Sequence, residues 1–140
     1  MNLVQLIYAS RPFGFDQSAL DNILIQSQRC NTRDGLTGAL ICRGDIYLQL
    51  LEGKADAIDA TYARIVRDDR HLEINRLSYA AATERLFPAW AMRSDPARSW
   101  MWSQAEVANG AATQASPEHV LGIFQRLAAE PAEQPQLTIL

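Results

Sequence analysis

Two polar side chains stand inside stretches that are typical of buried β-strands. Gln49 lies within IYLQLLE (46–52), and Tyr8 lies within LVQLIYA (3–9). A buried amide without a hydrogen-bond partner costs about 1–3 kcal/mol, so each group needs a partner inside the protein. A third polar residue, Asn31, follows an amphipathic stretch that predicts a helix. A few hydrogen-bonding groups among apolar walls are typical of a ligand pocket, although Tyr8 and Gln49 could also satisfy each other in a closed core.

The sequence offers little support for common enzyme or metal sites. His71 and His119 lie far apart, and neither has a cysteine or carboxylate at metal-ligand spacing. The sequence contains no GxSxG, P-loop or GxGxxG motif. Cys30 and Cys42 form no CxxC pair, and nothing in the sequence would orient His71 as the base for a Cys30 nucleophile. These classes of site are therefore disfavoured.

The composition is that of an ordinary globular domain. The 140 residues are 48% hydrophobic and 21% charged, with a formal net charge of −3 at pH 7. That is enough chain for one domain with a substantial core. The negative charge disfavours a nucleic-acid surface, and no apolar run approaches the roughly 20 residues that cross a bilayer. The N-terminus lacks the features of a secretory signal, so we expect a cytoplasmic protein with neither a nucleic-acid nor a membrane partner.

The order of predicted elements indicates an α+β fold of the ferredoxin-like type. Apolar periods of two and of 3.6 predict the order β-α-β-β-α-β, followed by one more strand. The predicted strands are 3–9, 36–42, 46–52, 74–81 and 88–94. The first predicted helix ends near Cys30, and the second spans 55–67. This is the split βαβ motif, a mixed sheet with two helices on one face. Its first and third strands are adjacent, so Tyr8 and Gln49 are expected to be cross-strand neighbours on the helix-covered face.

The last third of the chain predicts helices that cover the other face of the sheet. Asp95-Pro96 and Ser116-Pro117 each place an N-cap residue before a proline at the first helical position. Three apolar residues follow the second pair at helical spacing: Val120, Phe124 and Leu127.

Five segments, in this order and spacing, resemble the BLUF family of blue-light sensors that use flavin. They are Tyr8, N-x-R-x-x-L-T-G-A-L at 31–40, Q-x-L-E-G at 49–53, R-D-x-R-H at 67–71 and F-P-x-W-x-M at 87–92. The resemblance covers residues 2–95. It implies that FAD, or else FMN or riboflavin, is inserted between the two helices of the predicted fold. It also divides the chain into a photosensor domain at 1–95 and a C-terminal helical cap and output extension at 96–140.

The resemblance implies roles for individual residues. Gln49 is expected to bridge the Tyr8 hydroxyl to N5 and O4 of the flavin, and Asn31 is expected to hold the pyrimidine edge of the ring. The residues expected to line the ring pocket are Ile23, Leu24, Ser27, Ile58 and Ile65. The cations expected at the phosphate end, unless they are solvated loop charges, are Arg33, Arg70 and His71.

The implied activity is a photochemical switch rather than substrate turnover. The Tyr8 phenol would give an electron and then a proton to excited flavin. Gln49 would reverse its hydrogen-bond pattern, because an amide carries both a donor and an acceptor, and the absorption would shift to the red. Trp90 and Met92, two apart on the predicted fifth strand, would share a face and relay the change, unless both are core residues. Several relatives have His where this chain has Cys30, so the ring contact there is expected to differ.

The expected output is a light-dependent surface offered to another protein. Residues 96–140 are too few for a cyclase, a phosphodiesterase or a DNA-binding effector, so we expect the signal to pass to an unidentified partner in trans. Trp100 and Trp102 are candidates for that surface, or else for the core that caps the sheet. A homodimer or weak oligomer is expected. The main alternative is a colourless ferredoxin-like interaction module, and an acylphosphatase-type enzyme is disfavoured because YASRPFGF (8–15) lacks a convincing phosphate cradle.

Overall fold

A computed structural model describes residues 3–12, 17–43, 45–67 and 71–130. The strands are β1 (Leu3–Pro12), β2 (Thr37–Arg43), β3 (Ile46–Lys54), β4 (His71–Ala82) and β5 (Arg93–Pro96). The helices are α1 (Gln17–Asp34), α2 (Ala55–Val66), α3 (Gln104–Ala108) and α4 (Pro117–Ala128). The order β-α-β-β-α-β with a fifth strand confirms the predicted α+β class.

The five strands form one mixed sheet in the order β4-β1-β3-β2-β5. Neighbouring strands are antiparallel except β2 and β5, which are parallel. β1 and β3 lie side by side, and Tyr8 pairs with Gln49 in their register. Directly paired residues of an antiparallel ladder project to the same face, so the prediction that these two are cross-strand neighbours is confirmed.

The helices α1 and α2 cover one face of the sheet. Side chains alternate along β1, so Leu6 and Tyr8 face these helices whereas Ile7 and Ala9 face away. The buried residues of this layer are Val4, Leu6, Tyr8, Leu20, Ile23, Leu24, Leu36, Leu40, Tyr47, Leu51, Ile58 and Met92. Full burial of one such large apolar side chain contributes about 1.5–3 kcal/mol, so this layer holds the helices against the sheet.

The helix α4 covers the opposite face. Its N-cap is Ser116, whose hydroxyl accepts from the backbone N–H of His119, and Pro117 occupies the first turn. Phe124 is buried and meets Phe87 edge to face, with ring centroids 6.4 Å apart. The predicted helical cover is therefore confirmed. Because both faces of the sheet are covered, β3 is buried from residue 46 to residue 53.

The helix α1 ends one turn later than the sequence predicted. It continues through Asp34, so Asn31 lies in its last turn rather than after it. Gly35 follows with a φ of 72°, a left-handed conformation that suits glycine. The N–H of Leu36 then donates to the carbonyl of Asn31 at 2.8 Å, which is the bond that closes a Schellman motif. Residues 31–34 therefore belong to the helix, and Gly35 supplies the stop.

The Asp95-Pro96 pair does not begin a helix. It belongs to β5, and α3 begins only at Gln104. Asp95 is fully buried, and its carboxylate accepts from the guanidinium groups of Arg93 at 2.8 Å and Arg98 at 3.1 Å. The prediction was wrong because this carboxylate holds two arginines in the interior instead of capping backbone N–H groups.

Candidate functional site

Tyr8 and Gln49 form a hydrogen-bonded pair in the middle of the sheet. The Tyr8 hydroxyl donates to Oε1 of Gln49, and both side chains are buried. This bond orients the amide, because its oxygen faces the phenol and its nitrogen faces away. The nitrogen, Nε2, donates to Sδ of Met92 at 3.7 Å. Since a thioether is a weak acceptor, one end of the amide is held firmly and the other end weakly.

A cleft with a volume of about 190 Å³ lies over this pair, between α1 and α2. Its floor consists of Tyr8, Gln49 and Leu51. Its walls consist of Ile23, Gln26, Ser27, Cys30, Asn31 and Arg33 from α1, and of Thr61, Arg64 and Ile65 from α2. Aliphatic walls with a few convergent polar groups are the usual composition of a small-molecule site.

Most of the residues predicted for the pocket lie at this cleft. Those that line it are Tyr8, Ile23, Ser27, Asn31, Arg33, Gln49 and Ile65. Leu24 and Ile58 are buried in the layer between the helices and the sheet, away from the lining of the cleft. Arg70 lies outside the described residues. His71 begins β4, but its side chain also lies outside the described part of the chain.

Two side-chain amides of α1 hold the segment that precedes β5. Nδ2 of Asn31 donates to the carbonyl of Ala91 at 2.8 Å, and Nε2 of Gln28 donates to the carbonyl of Met92 at 3.2 Å. Both amide side chains are buried. Sequence reasoning missed Gln28, although it stands four residues after Leu24 and therefore on the buried stripe of the helix.

Trp90 and Met92 pack on opposite sides of the sheet. Met92 is 1% exposed and lies in the layer under α1 and α2, whereas Trp90 is half-buried and lies in the layer under α4. The prediction that they share a face is wrong, because β5 begins only at Arg93 and strand alternation does not apply before it. Met92 is therefore the one that contacts Gln49.

Arg33 and Arg64 share one carboxylate at the edge of the cleft. Nε of Arg33 lies 2.9 Å from Oδ1 of Asp34, and Nη2 of Arg64 lies 3.2 Å from Oδ2. The hydrogen bonds from Arg33, helped by Arg64, lower the pKa of Asp34 from its ordinary 3.8 to about 2. The long side chain of Arg64 crosses from α2 to the carboxylate of Asp34 on α1. The two helices are thus joined by an ion pair beside the cleft.

Glu52 is a buried carboxylate on β3. It accepts from the backbone N–H groups of Leu86 and Phe87, both at 2.8 Å, and from the hydroxyl of Thr37 at 2.9 Å. A buried carboxylate needs such donors, because an unpaired charge in the interior is costly. These bonds tie the connection between β4 and β5 (83–92) to the central strand. Sequence reasoning missed this residue, although a polar side chain in an apolar strand is the same pattern that identified the glutamine.

The family model for sensors of blue light using FAD matches residues 3–93. The chain belongs to the BLUF family. The match covers well over half of the 140 residues, so the resemblance seen in the sequence is confirmed. The family description names sensors of blue light that use FAD, in agreement with the predicted function class.

Photoactivated adenylate cyclase subunits contain a segment similar to this chain. The β subunit of Euglena gracilis is 33% identical over 94 residues, which are 66% of this chain and 11% of that protein. The β subunit of Euglena longa is also 33% identical over 94 residues. This chain therefore matches only about a tenth of the length of these relatives.

Solved BLUF structures have the same architecture. The dark-state structure of BlrB, a BLUF protein, is 30% identical, with a TM-score of 0.74 over 91% of this chain and 96% of that chain. The ground state of BlsA gives a TM-score of 0.79 at 20% identity, over 94% of this chain and 91% of that chain. The BlsA likeness shows the fold alone. Both comparisons extend over most of the chain and confirm the ferredoxin-like mixed sheet with its helices.

The residues of the cleft fit the flavin that BLUF proteins use. The ring system of a flavin is flat and largely apolar with one polar edge, and the cleft offers aliphatic walls together with the amides of Gln49 and Asn31. Arg33 and Arg64 place positive charge at the edge of the cleft, which suits a phosphate. Among the described residues, no group of three or more His, Cys, Asp or Glu is arranged to hold a metal ion. None of the helices described is both long and apolar enough to cross a membrane.

Proposed function

We propose that this BLUF chain is a blue-light photoreceptor that holds FAD between α1 and α2 and switches through Tyr8 and Gln49. The orientation of Gln49 supports the proposal most directly, since Oε1 accepts from the Tyr8 hydroxyl and Nε2 meets the thioether of Met92. A bound flavin supplies the blue absorption and, when excited, a strong oxidant. Tyr8 is the electron and proton donor, because its buried phenol lies on the floor of the cleft.

Gln49 retains the result of the photochemistry in its hydrogen bonds. A phenol that has given up its proton accepts instead of donating, so the Tyr8 oxygen then favours Nε2 of the amide over Oε1. Reversal costs little at the other end, because the bond to the Met92 sulfur is weak. The electron and the proton then return to Tyr8, and the reversed pattern of Gln49, reached by rotation or by a tautomer change, persists as the red-shifted signalling state.

Replacing Gln49 by Leu tests this switch. Both proteins should be yellow, since the walls of the cleft are retained, but only the wild type should show a reversible red shift under blue light. The exposed Gln125 on α4 offers a matched control, because Gln125→Leu makes the same chemical change away from the cleft. A red shift that persists in Gln49→Leu would refute the proposal. A colourless wild-type protein would instead support the interaction-module alternative.

We propose that the bound flavin is FAD, with its phosphates towards Arg33 and Arg64. The residues on the floor of the cleft would hold the ring that FAD, FMN and riboflavin share, so discrimination among the three must come from the residues at the edge. Guanidinium groups bind phosphate well, and Arg70 and His71 remain predictions for the same end. Chromatography of the flavin released from purified protein identifies the form that is bound.

The proposed route of the signal runs from Met92 into β5 and on to the C-terminal helices. Met92 contacts the switch and directly precedes β5, and within β5 Asp95 accepts from Arg98. Arg98 also donates to Glu130, just after α4, at 3.1 Å. A displacement of β5 would therefore reach the end of α4 through buried and half-buried ion pairs.

The proposed output surface lies on the α4 side and serves a separate protein. The tryptophans that pack into this layer are Trp90, Trp100 and Trp102. Trp100 donates from Nε1 to Glu130 at 3.1 Å, so it contacts the same ion pairs. The identity of the partner, the homodimer or weak oligomer and the cytoplasmic location stay predictions from the sequence.

A further inference from the structure

Two glutamines hold Met92 at different atoms. Nε2 of Gln49 donates to its Sδ at 3.7 Å, and Nε2 of Gln28 donates to its carbonyl oxygen at 3.2 Å. Met92 is 1% exposed and directly precedes β5, which begins at Arg93. A change at Gln49 therefore acts on the side chain of Met92, while Gln28 acts on its backbone.

Gln28 lies in the protein interior, outside the cleft. It lies on α1, is 4% exposed, and does not line the cleft. The segment that it bonds is irregular, because Ala91 and Met92 come before the first residue of β5. Asn31, one turn further along α1, donates to the carbonyl of Ala91. The helix thus holds two successive carbonyl groups next to the switch.

The amide oxygen of Gln28 is an unused hydrogen-bond acceptor among the described residues. This atom, Oε1, is buried and has no hydrogen-bond partner among the residues that the structure describes. Such atoms are rare in native proteins, because burial removes water without supplying another donor. An arrangement in which a backbone N–H of the 91–93 segment reached this oxygen would remove that cost. The environment of Gln28 therefore favours a second position of the segment.

We propose that Gln28 is a positioning residue that converts the switch at Gln49 into a displacement of β5. When Gln49 reverses, its bond to the sulfur of Met92 is lost and the side chain is released. The backbone then shifts along the amide of Gln28, which exchanges its bond to the Met92 carbonyl for a bond from an N–H to Oε1. Without this amide, the side chain of Met92 repacks alone and β5 stays in place. This inference rests on the proposed function.

Gln28→Leu in the flavin-loaded full chain tests the proposal with three measurements. The absorption red shift reports the switch, and the ¹³C-methyl signal of Met92, one of three methionines, reports the released side chain. The backbone amide signals of Arg93 and Ser94 report β5. We expect the variant to keep the red shift and the light-induced change of the Met92 methyl signal, but to lose the light-induced change of the β5 amide signals. Gln125→Leu is the matched control and should keep all three.

The outcomes separate this inference from the proposed function. Light-induced changes of the β5 amides that persist in Gln28→Leu, or that are missing from the wild type, would overturn the role of Gln28 and leave the photoswitch intact. Loss of the red shift from a variant that still binds flavin would also overturn it, because Gln28 would then belong to the switch itself. A wild type without a red shift would refute the proposed function. If Gln28→Leu does not fold, Gln28→Asn keeps a buried amide that is too short to reach the Met92 carbonyl, and the same outcomes apply.

Discussion

Asp34 illustrates, at the scale of one residue, how the helices are joined beside the cleft. Its carboxylate accepts from Arg33 on its own helix and from Arg64 on α2, and these bonds lower its pKa from 3.8 to about 2. A carboxyl group with a lowered pKa in the folded state stabilises that state at a pH above its unfolded pKa. The contribution is complete above about pH 4 and is lost as the pH falls through about 2.

Asp34→Asn should therefore destabilise the protein in a pH-dependent manner. The difference in free energy of unfolding between wild type and variant should be constant near neutral pH and should shrink below about pH 4. There the carboxyl of the unfolded wild type takes up a proton first, and that of the folded protein follows only near pH 2. Urea unfolding at a series of pH values measures this difference. Glu84→Gln, at an exposed position, controls for the loss of one negative charge. A difference that stays the same on acidification would contradict the ion pair.

The residues of the site were predictable where burial and topology both constrained them. Tyr8 and Gln49 followed from polar groups in apolar strands and from the adjacency of the first and third strands. Gln28 carried a usable pattern, since helical spacing from Leu24 places it on the buried stripe. The sequence around Arg64 carried no such pattern, because a long flexible side chain at an outer helical position can end far from its own Cα. Met92 required knowledge of where β5 begins.

At the scale of elements, the connection between β4 and β5 is fixed at both ends without regular structure. At its start, Glu52 accepts from two backbone N–H groups, and Arg85 donates to the carbonyl oxygens of Gly35 and Glu52. Near its end, the N–H of Gly38 donates to the carbonyl of Trp90 at 3.1 Å. A Cβ at Gly38 would lie 2.0 Å from the carbonyl oxygen of Leu50, so only glycine fits there. The connection is thus anchored to β2 and β3 on its way to Met92, which contacts Gln49.

Glu52→Gln should loosen this anchor and lower the free energy of unfolding by about 1–3 kcal/mol. One carboxylate oxygen becomes an NH₂ group, which faces a donor instead of accepting from it. Guanidinium chloride unfolding measures the loss. Glu84→Gln makes the same change at an exposed position in the same connection and should have little effect. Equal stabilities of the two variants would argue against the anchor.

The start of a helix was predictable where the capping side chain has no other partner in the described part of the folded protein. The Ser116-Pro117 pair begins α4 as expected, because its hydroxyl is free to accept from the first turn. The similar Asp95-Pro96 pair does not begin a helix, since the side chains of Arg93 and Arg98 both donate to the Asp95 carboxylate. Local capping rules contain no information about such partners.

At the scale of the whole molecule, one sheet separates two apolar layers. Phe87, before the predicted division, packs edge to face on Phe124, after it, in the layer under α4. The predicted division at residue 95 therefore does not divide the core. Removing 96–140 would expose this layer, so point substitutions are better tests of output than truncation.

Phe124→Ala should cost about 3–5 kcal/mol of stability, because it leaves a cavity in a fully buried position. The red shift should persist in the folded fraction, since the proposed switch of Tyr8 and Gln49 lies on the other side of the sheet. Urea unfolding and light-minus-dark absorption spectra measure the two quantities. Leu121→Ala, at a half-buried position on the same helix, is the size-reducing control. A loss no larger than that of the control would contradict the structural role of α4.

The overall architecture was predictable because the order of elements leaves few topologies open. A split βαβ order fixes which strands are central, and amphipathic segments at the end of the chain then have one apolar sheet face left to cover. The placement of α3 was not predictable, because it depends on where the chain leaves β5 after the buried ion pairs of Asp95.

The central strand β3 contributes side chains to both apolar layers. Gln49 belongs to the cleft layer, while its neighbours Leu48 and Leu50 belong to the layer under α4. By thermodynamic reciprocity, an effector that docks over α4 and distinguishes two positions of this strand must change flavin affinity by the same factor by which flavin changes the affinity of the effector. The affinity measured by titrating the protein with flavin would then report whether an effector is bound, so the coupling acts in both directions.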